Sequence, residues 1–139
     1  MTSGNSENIE IRRIGDGEIE VVRALLLANG WGARLRDADR FREVIHRSHF
    51  ALVAVSDSKV VGFIRAISDG WYNAYISMVV VHPEYRRQGI ATALMNHMMA
   101  DGEEMTWVLR AGRDGVSGFY EGLGFSNSEV AMERTRKSN

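Results

Sequence analysis

The stretch Val79-Val80-Val81-His82-Pro83-Glu84-Tyr85-Arg86-Arg87-Gln88-Gly89-Ile90-Ala91-Thr92-Ala93-Leu94 runs from an apolar strand through a glycine-bearing loop into a helix. Backbone N–H groups at a helix start have no partner within the helix, and the helix dipole adds partial positive charge, so such a loop favours a phosphate or pyrophosphate. Gly89 and Ala91 are small where that ligand must approach the backbone, and Arg86 and Arg87 add positive charge beside it.

Working outward, three antiparallel strands are expected before the loop: Phe50 to Val55, Lys59 to Ile67 and Trp71 to Val81, with turns at Ser56-Asp57-Ser58 and Asp69-Gly70. Pro83 ends the third, and Gly89 to Ala100 reads as a helix burying Ile90, Ala93, Leu94 and Met98. Upstream lie a strand at Ile9 to Ile14, a helix capped by Asp16 that buries Ile19, Val22 and Leu26 and stops at Gly30, and a helix over about Ala38 to Arg47 burying Phe41, Val44 and Ile45. Downstream, Thr106 to Arg110 reads as a buried strand, Val116 to Gly122 as a short helix and Ser126 to Arg134 as a last, interrupted strand region. The expected class is a single α/β (α+β) domain with a mostly antiparallel sheet, in the order β-α-α-β-β-β-α-β-α-β-β, between loose ends at residues 1–8 and 135–139.

The composition narrows the chemistry. The 139 residues suit one domain. Seventeen basic against eighteen acidic residues give no bulk attraction to nucleic acid, and Arg134, Arg136 and Lys137 read as a solvated tail. Cysteine is absent, which excludes disulfides, a thiolate nucleophile and thiolate metal sites; the four histidines lack paired zinc-ligand spacing, so no metal is expected. The polar start and short apolar runs point to a cytoplasmic protein without membrane attachment. His97 falls on or beside the buried helix stripe and is expected to pack structurally.

Three ligands compete for the loop. A P-loop requires Lys followed by Ser or Thr after its glycines, and a dinucleotide loop requires G-x-G-x-x-G; neither pattern is present. Arg86-Arg87-Gln88-Gly89-Ile90-Ala91 resembles instead the Q/R-x-x-G-x-G/A pyrophosphate loop of the GNAT superfamily of acyl-CoA-dependent N-acetyltransferases. About thirty residues on, Gly118-Phe119-Tyr120-Glu121-Gly122-Leu123-Gly124-Phe125 is similar to that family's C-terminal segment. The element order agrees with the GNAT fold, so the resemblance covers nearly the whole chain.

The resemblance implies acetyl-CoA as co-substrate and a primary amine of a small molecule or peptide as acceptor, joined by direct attack in a ternary complex. It implies that the backbone of Val79 to Val81 binds the pantetheine arm, with an N–H near Val79 polarising the thioester carbonyl. Arg86, Arg87, Gln88, Gly89, Ile90, Ala91 and Thr92 would hold the pyrophosphate. Tyr120 matches the tyrosine that protonates the departing thiolate, a task suited to a phenol of pKa ~10 facing a thiol of pKa ~8.5. Trp31, Trp71 and Tyr75 would border the acceptor. Two departures stand out. The places where relatives carry a basic Glu, eleven residues before Arg86 and twelve before Tyr120, hold Tyr75 and Val108, which leaves a water chain, Tyr75 with water, or an acid such as Asp69. Arg113 stands near a position that is often Asn and either reaches a CoA phosphate or faces solvent. A non-catalytic acyl-CoA-binding module is the alternative, a nucleotide-binding regulator is a third reading, and a homodimer is left open.

Overall fold

In the computed structural model, which describes residues 8–112 and 117–137, strands β1 (Ile9–Arg13), β2 (Phe50–Ser56), β3 (Lys59–Ser68), β4 (Asn73–Val81) and β5 (Thr106–Leu109) form one sheet in sequence order. β1 to β4 pair antiparallel and β4 pairs parallel with β5. Helices α1 (Ile19–Ala28) and α2 (Ala38–His46) cover one face, α3 (Ile90–Met99) covers the other, and α4 (Ser117–Glu121) lies beside it. The apolar spacing explains the two layers: Val22, Leu26, Phe41 and Ile45 pack with Val53, Phe63 and Val80, while Ile90, Leu94, Met95 and Met98 pack with Ala54, Ile64 and Ile76. Ala93 and Val44, expected in the core, are only half-buried.

Two local devices position the loop. Between β2 and β3, Asp57 and Ser58 both take positive φ, 48° and 69°, as a two-residue hairpin turn of right-handed twist requires. In β4, Ala66 faces Ile76 while Arg65 faces Met78, leaving Ser77 as the extra residue of a bulge. β5 pairs only with Asn73 to Ile76, so beyond the bulge β4 carries an open edge. A Cβ on Gly62 would stand 3.1 Å from Ile90 Cγ2 and 3.2 Å from Leu94 Cδ1; the bare glycine lets the start of α3 lie close on the sheet.

Four expectations need correction. Asp16 does not cap α1: it begins a short 3-10 turn and accepts from His46, while Glu18 accepts from the Gly15 N–H (2.8 Å) and is held by Arg12 (2.7 Å). The sequence gives two carboxylates in this turn, and Glu18, the one with an arginine partner, closes it back on Gly15 but makes no side-chain cap bond to α1. Trp71 and Tyr72 lie outside β4 because the Asp69 carboxylate accepts from the N–H groups of Trp71, Tyr72 and Asn73, which closes a turn there. Thr106–Leu109 is an edge strand with alternating half-buried residues rather than a buried one. Residues 126–137 form no strand, so the order ends at α4; Val130 and Met132 are exposed, and Glu133 pairs with Arg110, just after β5, at 2.7 Å. The expected helix from Val116 begins at Ser117 within the described residues; Val116 and Arg113 lie outside them.

Candidate active site

Loop 86–92 is shaped by two left-handed residues, Arg87 (φ 65°) and Gly89 (φ 80°). Such a backbone turns successive N–H groups inward and forms an anion-binding concavity. Gly89 is the N-cap of α3 and has no side chain to satisfy the first turn. The backbone N–H groups of residues 86–92 make no hydrogen bond among the described residues, and the first return bond of the helix is Ala93 N–H to Gly89 O at 2.9 Å. No atom lies within 4 Å of where a Gly89 Cβ would be, so the approach is open.

The open edge of β4 faces the same space. His82 N–H donates to Val61 O at 2.8 Å, which fixes the alternation: residue 80 turns its backbone polar groups toward β3, and Val79 and Val81 turn theirs away, toward the gap left by β5. The Val81 carbonyl is already taken by Arg86 Nε at 3.1 Å. Arg86 also donates to Asn29 Oδ1 at 2.8 Å, tying the loop to the end of α1. Its guanidinium thus serves first to hold the loop, and Arg87 is left as the loop's outward charge.

Between loop and edge lies a cleft of about 710 Å³. Val79, Val80, Val81, Arg86, Arg87, Gly89, Ile90, Ala91, Thr92 and Tyr120 all line it, as does Trp31. Gln88 is in the loop but not in the lining; its side-chain Oε1 is buried without a partner among the described residues. Tyr120 is half-buried, with ring contacts to Phe119 (5.0 Å) and Phe125 (5.9 Å), so the aromatic pair acts as packing that orients the tyrosine. These residues come from β4, the loop, α3 and α4, far apart in sequence, and the fold brings them to one cavity.

The other expected residues scatter. Trp71 is 76% exposed at the β3–β4 turn and does not line the cleft. Tyr75 is half-buried on β4, opposite Ile67. His97 is exposed on α3, so it is not the packed histidine expected: the buried stripe runs through Leu94, Met95 and Met98. Asp69 is unsuited to base work, because the turn's three N–H donors hold its carboxyl below the usual range. Among the described residues, no Asp or Glu lines the cleft and no group of side chains could hold a metal ion. Sequence reading missed Asn29, Ser77, Tyr85 and Arg110, which also line the cleft. Asn29 had a signal, standing just before the helix-stopping Gly30, but reads only as a terminator.

Comparison with known proteins gives these features a family. The profile of the acetyltransferase (GNAT) domain matches residues 47–127. The mouse cysteine-rich protein 2-binding protein is 32% identical over 94 residues, 66% of this chain but 12% of that protein, so the chain spans only a small part of that relative. A GNAT-family acetyltransferase from Streptococcus pneumoniae superposes with a TM-score of 0.72 at 25% identity, over 91% of this chain and 98% of the other. An Arabidopsis thaliana protein solved with the bisubstrate analogue CoA-Ac-MVNAL shares the fold, with a TM-score of 0.71 at 18% identity over 88% of this chain and 85% of that one. With its family domain spanning β2 through α4 and its strand order, bulge and loop in one cleft, the chain belongs to the GNAT family of acetyltransferases.

Proposed function

We propose that this chain transfers an acetyl group from acetyl-CoA to a primary amine of a small molecule or peptide, by direct attack in a ternary complex. One observation carries the reading: the unpaired N–H groups of loop 86–92, the open edge of β4 and Tyr120 all wall a single cleft. The loop N–H groups and the α3 dipole suit a pyrophosphate, and the outward backbone of Val79 and Val81 suits an extended amide-bearing arm laid along the strand. The bisubstrate analogue bound by the Arabidopsis protein of like fold supports this use of the cleft.

In the transfer, the amine nitrogen forms a bond to the thioester carbon, the carbon–sulfur bond breaks, and Tyr120 gives its phenolic proton to the departing sulfur. The Val79 N–H donates to the carbonyl oxygen as negative charge develops there. With no carboxylate among the described residues of the cleft lining, one proton of the ammonium leaves through water before attack, and the second leaves the attacking nitrogen through water to restore the Tyr120 phenol. Tyr120→Phe is expected to lower kcat by about 100-fold, as general acid–base catalysis is commonly worth, with the KM for acetyl-CoA little changed. A thioester-cleavage assay across a panel of amines is the test. Binding of acetyl-CoA without turnover on any amine, and indifference to Tyr120→Phe, would instead support the non-catalytic binding module that the absent carboxylates suggest.

A further inference from the structure

Loop 86–92 offers its backbone N–H groups to a ligand and so leaves them unpaired within the fold. Its shape has to be held by other means, the more so because Arg87 sits at φ 65°, a left-handed conformation that a residue with a side chain keeps only where its surroundings impose it. Among the described residues, the one side chain of residues 86–92 that makes a hydrogen bond is that of Arg86, directly before Arg87. This tether has two ends. Nε donates to Val81 O at 3.1 Å, and Nη2 donates to Asn29 Oδ1 at 2.8 Å, across 57 residues of chain.

Asn29 is built into the end of α1. It is the C-cap residue, and its Nδ2 donates to Leu25 O at 2.8 Å, one of the carbonyls that a helix end leaves without an intrahelical partner. Gly30 follows at φ 94°, and Trp31 N–H returns to Leu26 O at 3.1 Å, a turn of the kind that ends helices on glycine. The amide is thereby clamped through its nitrogen and presents its oxygen to the guanidinium. That guanidinium also stands at the negative end of the α1 dipole, where a cation is favoured. Val22 and Leu26 seat α1 in the core with no exposed surface, so Asn29 ties Arg86 to the rigid body of the fold rather than to another loop.

Asn29 and Arg86 both line the cleft, and the tether decides which groups of the β4 edge are open to a ligand. The Val81 carbonyl is occupied, so an amide N–H laid along the edge finds its acceptor at Val79 instead. The two positions are two residues apart, about 6.7 Å along a strand. An arm seated at one rather than the other would carry its thioester by that distance relative to Tyr120.

We propose that Asn29 is a positioning residue for acetyl-CoA: acting through Arg86, it holds loop 86–92 in its anion-binding shape and keeps the Val81 carbonyl closed, so that the arm seats at Val79. This rests on the transferase reading and adds to it a residue that acts through another side chain.

The test is a double-mutant cycle on Asn29→Ala and Arg86→Ala, with acetyl-CoA affinity read by isothermal titration and its KM read in the thioester-cleavage assay. Asn29→Ala is expected to weaken acetyl-CoA binding about tenfold, the scale of one hydrogen bond to a charged group, and to raise the KM for acetyl-CoA in step. Asn29→Gly, a residue that helix ends accept readily, should repeat the loss and covers the case in which Asn29→Ala folds poorly. In the Arg86→Ala background, Asn29→Ala should change affinity by less than about threefold, because the bond it removes is already gone. A residue that only caps α1 would give additive losses, since its bond to Leu25 O does not involve Arg86. Additive losses, or wild-type affinity in both Asn29 variants, would overturn the proposal. If wild type binds acetyl-CoA and acetylates an amine of the panel while the variants match it, the role of Asn29 alone falls; if wild type does neither, the transferase reading falls with it.

Discussion

Loop 86–92 and the segment 31–36 border the same cleft, yet they are built from different material. The loop presents backbone N–H groups, set by two left-handed residues and the start of α3. The segment presents a side chain, Trp31, in a connection that Arg23 ties down through the carbonyls of Leu35 and Arg36. A backbone site demands small residues at fixed spacing and so leaves a pattern in the chain; a side-chain site tolerates many sequences and leaves none. The sharpest way to break this contrast is Gly89→Val. A β-branched residue at φ 80° costs about 1–2 kcal/mol, and its side chain would enter the space through which an anion approaches. Acetyl-CoA affinity should fall roughly 100-fold, equivalent to one or two lost charge-assisted hydrogen bonds, by isothermal titration, with circular dichroism unchanged. Affinity within about threefold of wild type, a difference under 1 kcal/mol, would mean the loop backbone is not the anion site.

The same contrast explains what the sequence disclosed. The hairpins, α1, α2 and α3 were legible because period-2 and period-3.6 burial persisted over whole elements, and the cleft lining from residue 79 to 92 followed from Gly89 and its neighbours. The error at Asp16 arose because the choice between Asp16 and Glu18 is decided by Arg12, on another element. Residues 126–134 alternate in hydropathy as a strand does, but alternation does not supply a partner, and here Val130 and Met132 stay exposed. Arg65 is a lone charge in an apolar strand, but the chain alone does not show that its Nε donates to Ser48 Oγ.

A second prediction concerns the proton of the acceptor. If no carboxylate serves as base, kcat/KM should rise about tenfold per pH unit up to the acceptor's own pKa, near 10.4 for a lysine-like amine. Substituting an amine of lower pKa should move the break in the profile by the same amount. A break that stays fixed whichever amine is used would reveal a protein base and erase this difference from relatives that carry a glutamate.

Gly62→Ala tests whether the backbone site depends on packing beneath it. The added methyl would meet Ile90 and Leu94 at 3.1 and 3.2 Å and Ala54 Cβ at 3.4 Å. Such crowding is expected to cost about 1–3 kcal/mol and to lift the first turn of α3, so acetyl-CoA affinity should weaken together with stability. Chemical denaturation and titration on the same variant check this. Lost stability with unaltered affinity would show that the loop keeps its shape without the close seat of α3.

The smallest effect separates the two regions by pH. Residues 86–92 contain no carboxylate, whereas Glu18 is the N-cap residue of α1, which leads into the segment 31–36. The Arg12 guanidinium and the Gly15 N–H hold that carboxyl below its ordinary value of 4.5. A carboxyl lowered in the folded state contributes stability that is fully present above its unfolded value and is lost as pH falls through the folded one. Glu18→Gln should therefore cost about 0.5–1 kcal/mol at neutral pH, the range of a partly exposed ion pair with a capping bond. The gap between variant and wild type should close below pH 4.5, where wild type takes up the proton that the amide mimics. Hydrogen exchange should show the acid-induced loosening in α1 while the amides of α3 keep their protection; equal loosening of both would mean that the two sides of the cleft open as one unit.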